Sequence, residues 1–345
     1  MKAAVLTNFN NDLEIMELEV PELKKGQILV KIKAAGICGA QINQKKGIKI
    51  NSKFLPCLMG HEGSGIVEKI GKGVTKVKEG DKVVLHWRPS KGLESEFPSY
   101  KSKKGIVGSG LVTTFSEYSV VSENRLTKVT SKLDFPQLSL FGCAITTGMG
   151  IVDNEINLQK NESIAVFGVG GVGLNVIIAS KLKNAYPIIA IDRSSAKLKK
   201  SKEFGATHFI NTTDVKNLEE ELKNIIPSFP KYNVETTGNI NLIAKSYECL
   251  PSGGTAVLVG QPQNNEKLIL ENFVSNYVGK TLLDTSGGKI NPDKDIQKYL
   301  DLILSSNINL ENLIYEYYSL EDINKAFTLI EEGNDFYGRG VIVFE

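Results

Sequence analysis

The sequence predicts a two-domain α/β chain, a β-rich N-terminal domain followed by a doubly wound parallel sheet. Three observations support this. Residues 1 to about 85 are short alternating runs broken by glycines, the pattern of antiparallel strands with frequent turns. From about residue 149, strand-like apolar runs alternate with helical stretches, which implies a parallel sheet flanked by helices. Near the head of this second part stands the glycine turn GVGGVG, Gly168 to Gly173, between an apolar run and a helix start. At 345 residues the chain is long enough for two domains.

In chain order, Gln27–Lys33 alternates as a half-buried strand should, and Gly65–Ile70 reads as a second strand. The stretch His86 to Gly110 has two prolines and no period, and a loop of that length inside a compact domain is usually functional. Tyr118–Val121 resumes the strand pattern. In the second part, Ile164–Phe167 reads as a buried strand and Leu174–Ala179 as the helix after the turn. Strands are expected at Pro187–Ile191, Ala206–Ile210, Tyr232–Glu235 and Thr255–Gly260, with helices at Ala196–Phe204 and about Leu218–Ile226. The tail carries helices near Ile296–Leu304 and Leu320–Glu332 and ends in a strand, Gly340–Phe344. The expected domains are 1–148, completed by 290–345, and 149–289, with the active site in the cleft between them.

The glycine turn has a physical reading. Gly168 permits the tight turn, Gly170 lets backbone approach a pyrophosphate, and Gly173 lets the helix pack on its strand. Gly171 and Val172 add N–H groups at the helix N-terminus, where phosphate oxygens are favoured. Asp192 closes the next strand 19 residues beyond Gly173, the position of an acid that binds ribose hydroxyls. Such an acid favours NAD(H) over NADP(H), although Arg193 beside it leaves room for a 2′-phosphate.

Bulk properties exclude other classes. A formal net charge of +2 gives no electrostatic case for nucleic acid or a membrane surface. No apolar run reaches the roughly 18 residues of a membrane span. Met1–Leu6 runs straight into Thr7 and Asn8 without a signal-peptide core, so a cytoplasmic protein is expected. The four cysteines, Cys38, Cys57, Cys143 and Cys249, then read as metal ligands or small core residues rather than disulfides.

Three short segments carry the chemistry. They are Ala35-Gly36-Ile37-Cys38-Gly39, Gly60-His61-Glu62-Gly63 and Phe141-Gly142-Cys143-Ala144-Ile145-Thr146-Thr147-Gly148. With GVGGVG after them, in that order, the chain resembles from end to end the zinc-dependent medium-chain alcohol dehydrogenases, of the medium-chain dehydrogenase/reductase superfamily. The resemblance implies a GroES-like catalytic domain and a Rossmann domain. It implies that Cys38, His61 and Cys143 are the ligands of a catalytic zinc, with Glu62 close behind the metal. It also implies that Thr147 touches the nicotinamide end, Lys197 reaches the ribose and Arg339 lies near the pyrophosphate. A Cys₂His set leaves a fourth position open for water or substrate. Cys57 and Cys249 fall outside ligand spacing and read as core, and His208 as packing or surface.

The chain departs from its relatives in two places. They carry a serine or threonine proton relay where this chain has Ala40, and often an aspartate where it has Gln41. His86 is a candidate substitute for the relay. Many relatives also hold a structural zinc on four cysteines, but no cysteine lies between Cys57 and Cys143, so one zinc per chain is expected. Trp87 falls where the relatives place a pocket side chain. Between His86 and Gly110, Arg88, Lys91, Lys101, Lys103 and Lys104 outnumber Glu94 and Glu96 by three. This surplus reads as a solvated loop, with an anionic small-molecule substrate held by Arg88 and a lysine as the sharper alternative.

The expected function is hydride transfer between a nicotinamide cofactor and an alcohol or carbonyl. The substrate is read as a polyol or sugar derivative, with phosphorylated or nucleotide-linked forms among the options. A simple primary alcohol or aldehyde is the alternative, and a non-catalytic, crystallin-like member of the fold a third reading. A homodimer or homotetramer is expected, with Asn272 to Asp284 as the interface.

Overall fold

A computed structural model describes residues 1–345 apart from Lys49, Asn272, Tyr277, Asn307 and Asn334. Two compact units result, Met1–Thr146 with Asn291–Gly333 and Arg339–Glu345, and Thr147–Ile290 with Asn334–Gly338.

Among the described residues, the first unit contains two sheets. One runs in the order Cys57–Leu58, Lys2–Leu6, Glu14–Glu19, Tyr100–Ser102, Gly105–Val107. The other runs Leu126–Lys128, Lys82–His86, Glu62–Ile70, Gln27–Ile37, Arg339–Val343, Ile314–Tyr318, with Tyr118–Ser122 also paired to Gln27–Ile37. Gln27–Ile37 is the spine of this sheet. Its alternating half buries Ile28, Val30 and Ile32 completely. The strand continues through Ala34, Ala35 and Gly36, beyond the expected end at Lys33, because only small residues fit there. A Cβ on Gly36 would stand 2.4 Å from Glu62 Oε1. The C-terminal strand pairs antiparallel to it, with Gly340 opposite Ile37. A core that includes Ile28, Val30, Ile32, Leu85, Phe115, Phe327 and Ile342 fills this unit.

The stretch His86 to Gly110 is not structureless. Tyr100–Ser102 and Gly105–Val107 form a hairpin that joins Glu14–Glu19 through pairs such as Leu18 with Ser102. Strands of three residues are too short to show a period of two in the sequence. Three of its charges are met by neighbours: Glu94 by Arg125, Glu96 by Lys24, and Lys104 by Glu14.

Among the described residues, the second unit is a parallel sheet ordered His208–Asn211, Ile188–Asp192, Ile164–Phe167, Tyr232–Glu235, Thr255–Leu258, Thr281–Asp284. All four residues of Ile164–Phe167 are fully buried, as a central strand covered on both faces must be. The order reverses beside this strand, and that switch point is where open α/β sheets bind ligands. Helix Ser195–Phe204 starts on Ser194, whose hydroxyl accepts from Lys197 N, and stops at Gly205 in the left-handed region.

Two helical runs go beyond the sequence reading. Ile240–Glu248 is capped by Asn239, whose side chain accepts from Asn241 N and Leu242 N. Phe135–Ser139, Leu140–Gly142 and Ala144–Gly150 form the other run, broken at Cys143. Buried nearly all round, it lacks the amphipathic stripe that marks a surface helix. No single helix among the described residues is long and apolar enough to cross a membrane.

Candidate metal centre and cofactor turn

Three turns deliver three donor atoms to one point. Cys38 follows the long strand Gln27–Ile37, and His61 precedes strand Glu62–Ile70. Cys143 sits at the break between two helical runs, at φ −151° and ψ −67°. The two Sγ atoms and a ring nitrogen of His61 lie within 4.8 Å of one another. Tetrahedral zinc with its usual Zn–S and Zn–N bonds spaces such donors by roughly 3.5–3.8 Å. The triad therefore fits zinc with only a small contraction, and the Cys₂His donor set matches the metal's preference.

A buried polar frame braces the triad. Glu62 is fully buried, and its Oε1 accepts from Arg339 Nε at 2.7 Å while Oε2 accepts from Ala144 N at 3.0 Å. Arg339 Nη2 also donates to Cys38 Sγ at 3.3 Å. Glu62 is thus tied to the backbone beside Cys143 directly, and to Cys38 through Arg339. Register explains the placement of Arg339: it leads the strand whose next residue lies opposite Ile37.

The electrostatics follow from this frame. Cys38 is held well below the ordinary thiol range, first by the hydrogen bond from Cys143 and against burial, with help from Arg339 and His61. Cys143, the donor of that pair, is pushed well up by the same bond and by burial. Burial raises Glu62, and the Arg339 charge opposes it. Arg339 stays protonated despite burial because Cys38 and Glu62 hold its charge.

Gln41 is buried, and its Oε1 accepts from Cys38 N at 3.0 Å. It therefore steadies the backbone of a ligand position, a contact with no signal in the sequence beyond proximity. Ala40 opens a short helix and brings no hydroxyl. His86 is fully buried, with Nδ1 2.7 Å from Arg88 O and Nε2 2.9 Å from Thr127 Oγ1, so both ring nitrogens are engaged within the unit. Trp87 is half-buried, its carbonyl accepts from Arg125 Nη1 at 2.6 Å, and the Arg88 guanidinium lies 5.8 Å from its ring centroid. Burial pushes the thiols of Cys57 and Cys249 up to about 11 and about 12, which keeps them protonated as core residues.

In the second unit, the glycines do what their spacing implies. Gly168 has φ +85°, a Cβ on Gly173 would meet Gly168 O at 2.0 Å, and one on Gly170 would meet nothing within 4 Å. Gly170 is thus the open face of the turn, and Gly171 begins the helix Gly171–Leu182 that also carries Val172. Asp192 braces the same turn, accepting from Val169 N at 2.9 Å and from Ser194 N at 3.0 Å. Arg193 is exposed and Thr147 buried. Burial lowers the Lys197 pKa while Asp192 opposes it, so the two charges share one neighbourhood.

Sequence comparison agrees with the geometry. Residues 24–131 match the alcohol dehydrogenase GroES-like domain, and residues 171–305 match the zinc-binding dehydrogenase domain. The chain is 31% identical over 380 residues to an alcohol dehydrogenase class-3 of Cereibacter sphaeroides, covering 99% of each. It is 29% identical over 376 residues to an S-(hydroxymethyl)glutathione dehydrogenase of Paracoccus denitrificans, again covering 99% of each. Among solved structures, benzyl alcohol dehydrogenase from Acinetobacter calcoaceticus is similar with a TM-score of 0.89 at 26% identity, over 100% of this chain and 99% of that one. The Cys38–His61–Cys143 triad, the glycine turn and these matches together place the chain in the zinc-dependent medium-chain alcohol dehydrogenase family, oxidoreductases with a GroES-like and a Rossmann domain.

Proposed function

We propose that the chain exchanges hydride between NAD(H) and a hydroxylated, anionic substrate, using one zinc ion on Cys38, His61 and Cys143. The observation that carries this reading is the approach of those three donors to within 4.8 Å of one another. In the same reading, residues 1–148 and 290–345 form the catalytic domain, and residues 149–289 the cofactor domain. Bound zinc supplies a Lewis acid that polarises the substrate oxygen, and the nicotinamide carries the hydride.

The chain's own residues set the conditions. Both thiols must lose their protons to bind metal. The Arg339 charge against Cys38 Sγ favours that loss, and Glu62 offsets the charge of Arg339. Arg339 is assigned to the pyrophosphate, as the resemblance implies. Gly168, Gly170, Gly171, Val172 and Gly173 present backbone to the pyrophosphate. Asp192 is assigned to the ribose hydroxyls, with Lys197 beside it and Thr147 at the nicotinamide end. The Asp192 charge repels a 2′-phosphate, which supports NAD(H) over NADP(H) despite Arg193. With Ala40 lacking a hydroxyl and His86 engaged on both nitrogens, water is assigned the relay of the alcohol proton.

The basic surplus between His86 and Gly110, with Arg88 in it, supports an anionic substrate. Polyol and sugar derivatives bearing phosphate are one such class. S-(hydroxymethyl)glutathione, named for the Paracoccus relative, is another anionic alcohol. A simple primary alcohol is the competing reading. The apolar side chains exposed along Leu268, Ile269, Leu270, Val274, Val278 and Leu282 support a homodimer through the outer strand of the parallel sheet. Asn272 and Tyr277 of that segment lie outside the described residues.

The test is a turnover screen with NADH and NADPH against sugar phosphates, nucleotide-linked keto sugars, S-(hydroxymethyl)glutathione and uncharged alcohols, with a zinc count on the same protein. About one zinc per chain and a preference for anionic substrates, lost in Arg88→Ala by about tenfold in KM, are expected. Equal use of uncharged alcohols by both proteins would remove the anionic reading, and protein without zinc or turnover would remove the enzyme reading.

A further inference from the structure

Glu235 is a fully buried carboxylate far along the sequence from the metal ligands, at the end of strand Tyr232–Glu235. In register it lies beside Phe167, the residue before the glycine turn. Burial raises its pKa, while hydrogen bonds from Thr237 and Gly238 act in the opposite direction. Its carboxylate accepts from Thr237 N at 2.7 Å, from the Thr237 hydroxyl, and from Gly238 N at 3.2 Å on each oxygen. Every one of these partners is a donor, so the group that fits is an acceptor on both oxygens.

The segment that Glu235 gathers is seated on the glycine turn. Thr236 N donates to Phe167 O at 2.9 Å. Thr236 Oγ1 lies 2.8 Å from Gly168 O and 3.1 Å from Phe167 O. A Cβ on Gly168 would stand 2.6 Å from Thr237 Cγ2 and 2.7 Å from Thr236 Oγ1. On its other side the turn is held by Asp192 through Val169 N. The Gly168 peptide, at φ +85°, is therefore gripped from both neighbouring strands. Asp192 has a second assignment in the ribose hydroxyls; Glu235 and Thr236 have none.

We propose that Glu235 is a positioning residue for the dinucleotide, acting through Thr236 and Thr237 to fix the Gly168–Gly170 backbone that meets the pyrophosphate. The proposal rests on the reading of that turn as the cofactor site. Glu235 touches neither cofactor nor substrate. Its carboxylate closes the Thr236–Gly238 segment, and the closed segment places the Thr236 hydroxyl on the Gly168 carbonyl. An amide at this position turns an NH₂ group onto a backbone N–H and opens the segment.

The experiment measures NADH affinity by fluorescence titration, together with KM for cofactor and for alcohol, kcat and zinc content, in the wild type, Glu235→Gln and Thr236→Val. Thr236→Val keeps the carboxylate and removes only the hydroxyl contacts to Gly168 and Phe167, so it stands as the test if Glu235→Gln fails to fold. The expected result is NADH affinity weakened about tenfold in both variants, the scale of one or two lost hydrogen bonds. Cofactor KM rises in parallel, while alcohol KM and zinc content stay at wild-type values. Folded Thr236→Val or Glu235→Gln with wild-type NADH affinity overturns the proposal. Wild-type protein that binds no NADH overturns the cofactor reading itself, a different failure. An equal loss in kcat and zinc content with cofactor KM unchanged shows a general structural role and also overturns the proposal.

Discussion

Arg339 Nε lies 2.7 Å from Glu62 Oε1 with the carboxylate side chain wholly withdrawn from solvent and the guanidinium nearly so. The pair joins residues 277 apart in sequence. A buried ion pair of this kind is costly to break, because the remaining charge is left without water or partner. Arg339→Leu is therefore expected to lower stability by about 3–5 kcal/mol and to reduce zinc occupancy, and Glu62→Gln, which leaves the Arg339 guanidinium buried without its counter-charge, is expected to cost a similar amount. Denaturant unfolding with zinc analysis reads both. Arg339→Leu protein that unfolds at the wild-type midpoint with full zinc would show that the pair is not the brace of the triad.

His86 gives a dependence on pH that is separate from catalysis. Burial lowers its pKa from 6.5 to about 4. The unfolded chain, with the higher value, binds the extra proton between those limits. Stability from neutral His86 is therefore complete above about pH 6.5 and is lost as the pH falls towards 4. The loss reaches about 3 kcal/mol by pH 4. The charges around it, Lys76, Asp293 and Arg125, belong to the same polar group, with Lys76 and Asp293 paired. His86→Gln is expected to be less stable at pH 7 and to flatten the slope between pH 4 and 6.5. A wild-type slope retained in full by that variant assigns the titration to other groups.

Among the described residues, the outer strand Thr281–Asp284 pairs with Thr255–Leu258 on one side and ends the sheet on the other. Leu282 on it is 38% exposed, and Val274 just before it is 84% exposed. Proteins rarely leave an apolar sheet edge open to water. A dimer through this edge is expected by light scattering at micromolar concentration, and Leu282→Lys is expected to halve the mass without loss of circular dichroism. Wild-type protein that runs as a monomer contradicts the interface.

Legibility differed with the range of the interactions. Ile164–Phe167, the glycine turn and Asp192 were readable because a strand, a tight turn and a strand end are local events with local residue preferences. Strand Tyr232–Glu235 was readable to the residue for the same reason. The hairpin at Tyr100–Val107 was not, since its stability comes from pairing with Glu14–Glu19 rather than from its own pattern. At the site, the residue types of Cys38, His61 and Cys143 were legible, but their frame was not. Arg339 on Glu62, Gln41 on the backbone of Cys38, and Thr236 on Gly168 are contacts set by strand register and burial. The one available signal for the last was an acid closing a buried strand ahead of two threonines and a glycine, Glu235 to Gly238.

Asp192 combines two tasks, and separating them tests the cofactor assignment. Its oxygens already accept from Val169 N and Ser194 N, so the side chain shapes the glycine turn as well as carrying charge. Asp192→Asn keeps the size and one acceptor but removes the charge and turns an NH₂ onto Val169 N or Ser194 N, whereas Asp192→Ala removes both acceptors and the charge. The charge is the part that repels a 2′-phosphate and strengthens bonds from ribose hydroxyls. Asp192→Asn is therefore expected to lower kcat/KM with NAD roughly 10- to 100-fold, the scale of a hydrogen bond to a charged group, and to raise it with NADP. Asp192→Ala is expected to lose more with NAD and to gain less with NADP, because the turn itself loosens. Kinetics with both cofactors on both variants separate the tasks: NAD kinetics unchanged in Asp192→Asn would place the ribose contact on another residue, and NADP preferred by the wild type would assign the choice to Arg193.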